Sequence, residues 1–377
     1  MDSLNVFLAK IKKRASHYIG YPTAVDFDYT ELFDLFKYSL NNIGDPFIDS
    51  HTDMHTRQFE RESLQFFADL FHAPKDNWWG YITTGGTEGN LYGLYLAREM
   101  YPNAMVYYSE STHYSVQKNI HLLGMESIFI RAQENGEIDY EDLRQTIQYH
   151  RHQPAIIMAN IGTTMTEAKD DLHKIKEILK SFAIKQHYIH CDAALAGVYL
   201  SLMGEGHFDF SNGSDSIAIS GHKFIGSPIP FGVVLVKKSH KDRIGQSIPY
   251  IGTVDTTITG SRNAITPVFL WYAIKKMGRE GLLARALEGI ELAEYTVNKL
   301  LQVGVKAWRN PNALTVVFPQ PSAMLCHKWQ LASDNGHSHL ICMPGVTRSH
   351  IDLFVKDMAL EKSSELEAIS PIEMRLN

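Results

Sequence analysis

Between Trp78 and Lys238 the chain alternates short apolar runs with amphipathic stretches, and this alternation narrows the fold more than any other feature. Runs at 80–83, 104–108, 127–131, 155–160, 187–191, 215–219 and 231–236 are apolar and β-like and read as strands. Stretches at 88–100, 113–123, 139–149 and 171–182 carry helical spacing instead. A parallel crossover needs a dozen or more residues, usually a helix. The expectation is therefore an α/β fold, a mostly parallel sheet with helices on both faces.

Flanking segments complete the layout. Residues 1–18 place Leu4, Phe7, Leu8 and Ile11 at helical spacing beside a cluster of Lys and Arg, and Ile19-Gly-Tyr-Pro22 breaks the run. Helices are expected at 29–40 and 59–71, then at 268–277 and 281–303. A smaller α/β unit follows, with strands at 313–318 and 338–343 and a helix at 349–359, and the polar end Glu361 to Asn377 is expected to fray. The reading divides the chain into an N-terminal arm and helical segment (1–58), a large domain (59–278) and a small C-terminal domain (279–377). With 377 residues there is ample chain for such cores.

Charge and cysteine content exclude several classes. The net charge of −6 gives no basic footprint for nucleic acid. Three cysteines, Cys191, Cys326 and Cys342, imply no disulfide framework and a reducing compartment. No signal-peptide h-region or membrane-length apolar stretch is present, so a cytoplasmic location is expected. His51, Asp53 and His55 lie in a loop-rich segment, where i, i+4 spacing does not converge ligands, so no metal site is expected.

The chemistry-bearing residues fall where apolar runs end. Ile217 and Ile219 lead into Ser220-Gly-His-Lys223, and Phe224 and Ile225 beyond argue that Lys223 is turned inward. A desolvated lysine has its ammonium disfavoured and its neutral amine made available for bonding to a carbonyl. Upstream, Tyr188-Ile-His-Cys-Asp192-Ala-Ala194 ends a buried strand on an acid. Tyr81-Ile-Thr-Thr-Gly-Gly-Thr87-Glu-Gly-Asn90 passes from strand through a Gly-rich turn into a helix, a geometry suited to phosphate. Glu88 and Asn90 stand where a P-loop has Lys and Ser or Thr, which argues against a nucleoside triphosphatase. His113, in Thr112-His-Tyr-Ser115, offers an aromatic plate; the plainer alternative is a helix-terminal histidine capped by Thr112. A phosphate cradle, an acid, a plate and a lysine together describe a pyridoxal phosphate site.

At these residues the chain resembles the group II pyridoxal-phosphate-dependent amino-acid decarboxylases. It is most like the bacterial histidine decarboxylases among them, with the plant serine decarboxylases as relatives. IGYP (19–22), WGYIT-x-GGTEGN (79–90), THYSV (112–116), NGEIDY (135–140), NIGTT (160–164), HCDAAL (190–195), SGHK (220–223) and TITGSRN (257–263) carry the resemblance in order. It implies the fold type I, aspartate-aminotransferase-like architecture and a homodimer with sites at the subunit interface. Lys223 would carry pyridoxal 5′-phosphate, Asp192 would pair with its pyridine nitrogen, and His113 would stack on the ring above Ala194. Gly86, Thr87, Ser220 and His222 would hold the phosphate, Thr163 would meet the phenolic oxygen, and Ser261 would reach the phosphate in the neighbouring subunit. The implied reaction is decarboxylation of L-histidine to histamine, with L-serine to ethanolamine as the alternative. Three departures bear on the substrate: a short loop (250–255) with only Tyr250 as a candidate proton donor, Ala264-Ile265 where many relatives have Gly-His, and a 44–60 stretch closer to the serine branch. A transaminase would instead bind the substrate carboxylate with an arginine such as Arg309 or Arg348.

Overall fold

The computed structural model describes residues 2–48, 52–244, 246–248 and 253–373. Helix α1 (Asp2–Ala15) precedes a short 3-10 helix, Thr30–Lys37, and α2 (Arg57–Leu70). Only Thr30–Lys37 of the 29–40 segment is helical, and it is 3-10: none of its residues is buried, so no packed face favours the wider helix. Then come β1 (Trp79–Thr83), α3 (Gly86–Met100), β2 (Met105–Ser109), α4 (Tyr114–Leu122), β3 (Ser127–Ile130), α5 (Tyr140–Tyr149), β4 (Ala155–Asn160), α6 (Leu172–Ser181), β5 (His187–Asp192), α7 (Gly197–Leu202), β6 (Ser216–Ser220) and β7 (Gly232–Val236). All seven strands read from the apolar runs form.

They make one seven-stranded sheet in the order β1-β7-β6-β5-β4-β2-β3. Neighbours from β6 through β3 pair in parallel, whereas β7 runs antiparallel to both β1 and β6. Every residue of β1, β4, β6 and β7 is buried, which is why these strands are continuous apolar runs rather than alternating ones. Trp79, Tyr81, Tyr92, Leu94, Val106, Ile156, Met158 and Val234 pack into a single core between this sheet and α3.

The rest of the chain comprises α8 (Lys238–Lys241), the hairpin β8 (Gln246–Ile248) and β9 (Thr253–Asp255), α9 (Ile265–Gln302), β10 (Thr315–Pro319), α10 (Ala323–Trp329), β11 (Ala332–Asp334), β12 (His337–Ile341) and α11 (Arg348–Glu373). The two helices expected at 268–277 and 281–303 run as one element interrupted at Gly278, whose φ of 62° leaves the helical region. Strands β10, β12 and β11 form a three-stranded antiparallel sheet. The expected frayed end is instead helical to Glu373, since Leu, Glu, Lys and Ala favour helix however polar the stretch.

Two compact units result, Asp26–Ala286 and Met1–Val25 with Leu287–Asn377. This differs from the expected division at 58 and 278. The N-terminal segment joins the second unit because Ile19 is buried in its core with Trp329, Leu340 and Phe354, and its carbonyl accepts from Ile341 N at 2.8 Å. Among the described residues no helix is long and apolar enough to cross a membrane.

Candidate active site

All of the candidate cofactor residues belong to the unit Asp26–Ala286, and most cluster where strands end and hand over to helices. Strand β6 gives way to a single π-helical turn, His222–Gly226, a local widening that recurs at functional sites. The turn is pinned by Tyr29, whose hydroxyl donates to Gly226 O at 2.7 Å, and by Arg285, whose guanidinium donates to Ile225 O at 3.3 Å. Lys223 is thereby held part-buried. Burial lowers its pKa, while the carboxylates of Asp192 and Glu167 act in the opposite sense. The neutral amine that a carbonyl must meet is favoured.

Asp192 closes β5, opposite Asn160 of β4 and Ala218 of β6. Its Oδ2 accepts from Asn90 Nδ2 at 2.7 Å and its Oδ1 from Ala194 N at 3.2 Å. His113 is itself the cap of α4: its Nδ1 accepts from Ser115 N at 3.3 Å and lies 2.8 Å from Ser115 Oγ. The capping role expected of Thr112 thus belongs to the imidazole, which leaves Nε2 as the protonated nitrogen. Burial lowers the pKa of His113, with Asp192 opposing that shift and Lys223 adding to it, so the three groups share one electrostatic neighbourhood.

The phosphate cradle is built by close approach. A Cβ at Gly86 would stand 2.8 Å from Ser220 Oγ and 3.5 Å from Ala194 Cβ. Only glycine lets the first turn of α3, with its unpaired N–H groups, lie against the ends of β5 and β6. Thr87 follows on the exposed side of that turn, its carbonyl accepting from Asn119 Nδ2 at 2.9 Å. The Nδ1 of His222 is 2.8 Å from Phe231 O, and burial pushes its pKa down, which favours a neutral ring. A helix N-terminus with a serine hydroxyl beside it, a lysine of disfavoured charge and a strand-end carboxylate fit pyridoxal phosphate.

Not every candidate joins this cluster. The hydroxyl of buried Thr163 is engaged in its own turn, accepting from Ala168 N at 3.0 Å and lying 3.0 Å from Thr166 Oγ1. Ser261 is exposed, and its oxygen accepts from Asn41 Nδ2 at 3.0 Å. Its neighbour Arg262 is buried, 2.5 Å from Glu60, and fixes the segment against β1 through the bond from Ile82 N to the same carboxylate. Ala264 is buried with its carbonyl accepting from Thr56 Oγ1 at 2.7 Å. Tyr250 and His51 lie outside the described residues. Among the described residues no group of three or more His, Cys, Asp or Glu could hold a metal ion. Arg309 and Arg348 are paired with Glu294 and Glu291.

Three polar residues at the cluster, His190, Asn90 and Glu167, were given no part in the site by the sequence. His190 and Asn90 support Asp192 from beneath, and His190 was detectable, because residues two apart on a strand face the same way. Glu167 is buried with a φ of 55° and accepts from the Tyr199 hydroxyl. Nothing in its local sequence marks it, since its proximity to Lys223 is purely tertiary.

The profile of the pyridoxal-dependent decarboxylase conserved domain matches residues 39–318. The chain belongs to that family. Its cofactor is pyridoxal 5′-phosphate and its chemistry is that of a carboxy-lyase. This decarboxylase is 47% identical to a histidine decarboxylase of Mesorhizobium japonicum, over 94% of its own length and 96% of that protein. It is 43% identical to one of Morganella morganii, over 96% and 95%. Among solved structures it is similar to L-methionine decarboxylase from Streptomyces sp.590 in complex with 3-methylthiopropylamine, with a TM-score of 0.87, 25% identity and coverage of 96% and 95%. These likenesses place the decarboxylase in fold type I, as expected.

Proposed function

We propose that this decarboxylase converts L-histidine to histamine and carbon dioxide, Cα losing its carboxylate and gaining a proton. The observation that carries the substrate assignment is the near full-length likeness to bacterial histidine decarboxylases. When bound, pyridoxal phosphate supplies a carbonyl for the amino group and a ring that draws off the electron pair left as carbon dioxide departs. Lys223, its charge disfavoured by burial, would hold the cofactor through its neutral amine. Asp192, as an anion, would pair with the pyridine nitrogen and keep it protonated. His113, fixed through Nδ1 as the cap of α4, would stack on the ring. Gly86, Thr87, Ser220 and His222 would bind the phosphate and Ala194 would leave room beneath the ring, whereas the Thr163 hydroxyl, held in its own turn, is not assigned to the cofactor.

An imidazole side chain offers a donor and an acceptor, serine only a hydroxyl, so a pocket built for histidine rejects serine through unpaired polar groups as well as empty volume. Holoenzyme given each amino acid separately should release carbon dioxide from L-histidine at least about a hundredfold faster, in kcat/KM, than from L-serine. Faster release from serine, with ethanolamine as product, would replace this substrate by the alternative one.

The same reading makes the protein a cytoplasmic homodimer with sites at the interface. Three free cysteines, two of them buried, suit a reducing compartment. Exposed Ser261, its oxygen already accepting from Asn41, has its proton to offer to an acceptor on the partner. Co-expressed Lys223→Ala and Ser261→Ala chains should then recover about a quarter of wild-type activity, because half the dimers are hybrid and each hybrid keeps one intact site. Hybrids confirmed by mass but inactive would put Ser261 in its own subunit's site.

A further inference from the structure

Beneath Asp192 lies a run of three hydrogen bonds through the buried interior. Ser216 Oγ is 2.6 Å from His190 Nδ1, His190 Nε2 is 2.9 Å from Asn90 Oδ1, and Asn90 Nδ2 is 2.7 Å from Asp192 Oδ2. All four residues are buried. Their meeting follows from the fold. His190 and Asp192 are two apart on β5 and project from the same face, and Ser216 is the register partner of His190 on β6. Helix α3 covers that face closely enough for Asn90 to bridge both only because Gly93 has no side chain. A Cβ there would stand 2.1 Å from His190 Nδ1.

Each bond has one possible direction once the carboxylate is ionised and the imidazole neutral. An ionised carboxylate only accepts, so Asn90 turns its amide nitrogen to Asp192 and its oxygen to His190. That oxygen accepts in turn, so Nε2 carries the imidazole proton. A neutral ring has a single N–H, so Nδ1 accepts from the Ser216 hydroxyl. Burial pushes the His190 pKa down to about 4, in keeping with a neutral ring.

We propose that His190 and Asn90 are positioning residues that hold the Asp192 carboxylate by Oδ2 and so aim it at the pyridine nitrogen of the cofactor. The relay supplies orientation without charge. A cationic imidazole two bonds away would compete with the pyridinium for the carboxylate, whereas a neutral donor chain adds no competing charge. The inference rests on the reading of Asp192 given above.

The test reads tautomer and cofactor affinity as well as turnover. In holoenzyme labelled with 15N-histidine, the resonance lost in His190→Gln should show a neutral ring protonated at Nε2 throughout the neutral pH range. A cationic ring, or one protonated at Nδ1, would overturn the relay. His190→Leu leaves the Asn90 oxygen unpaired and should weaken pyridoxal phosphate binding by about tenfold or more, with a comparable fall in kcat. His190→Gln places an amide N–H where Nε2 stood and should recover affinity to within about threefold of wild type. His190→Asn places its amide at the Nδ1 position, reaches Ser216 but not Asn90, and should behave like His190→Leu, which serves if the leucine variant does not fold. Equal affinities for the glutamine and asparagine variants would refute the relay. A defective Asp192→Asn alongside a normal His190→Leu would remove the relay alone, whereas a normal Asp192→Asn would remove the underlying reading of Asp192.

Discussion

Lys223→Ala should abolish turnover, with a fall in kcat on the order of 10⁴-fold or more, while the protein remains folded. The residue is confined by a π-turn locked by Tyr29 and Arg285, and burial has already weakened the hold of its ammonium on the proton. Alanine removes the amine but leaves the turn's backbone bond from Gly226 N to Gly221 O intact, so circular dichroism and melting should change little. In wild-type holoenzyme, borohydride should fix the cofactor covalently to one lysine, and peptide mapping should find it at Lys223. Lys237 is the nearby competitor in sequence, yet it is paired with Asp215 at 2.6 Å. Label at Lys237, Lys238 or any other lysine would remove Lys223 from its role.

The second large effect is expected at Asp192. Asp192→Asn preserves shape but removes the anion, and the new amide can turn its oxygen to Asn90 Nδ2 and so present N–H to the pyridine nitrogen. A ring nitrogen facing a donor cannot keep its own proton, so the ring loses its capacity to draw electrons from Cα. Truncating a buried charge pair costs several kcal/mol, here about a hundredfold or more in kcat. Turnover should be measured at saturating cofactor, with occupancy followed by absorbance, so that lost binding is separated from lost chemistry. Near-wild-type kcat with the cofactor bound would mean that Asp192 serves only the fold.

Strand existence was legible because buried parallel strands must be apolar along their whole length, and β4 and β6 show that signature. The handover points were legible for a related reason: a strand that ends on Asp192, or on Ser220 before a turn, breaks its apolar run with a polar residue. The extent of α11 was not, because polarity and helix propensity are separate properties and the 361–373 stretch has both. Nor was the joining of the N-terminal segment to the 287–377 unit, since nothing near Ile19 names its partners.

The sequence by itself determined the family, the cofactor, and the identity of Lys223, Asp192, His113 and Gly86 as candidates, because each sits in a short motif whose chemistry is local. Tertiary structure decided what those residues touch. The strand order β1-β7-β6-β5-β4-β2-β3, with β7 reversed, puts β6 beside β5 and so brings Lys223 into the neighbourhood of Asp192. It also turned the Thr163 hydroxyl into its own loop and set Asn90, 102 residues away in the chain, against the Asp192 carboxylate. Periodicity reports which face a residue is on. Only the pairing of strands, settled by contacts between residues far apart in sequence, reports what lies opposite.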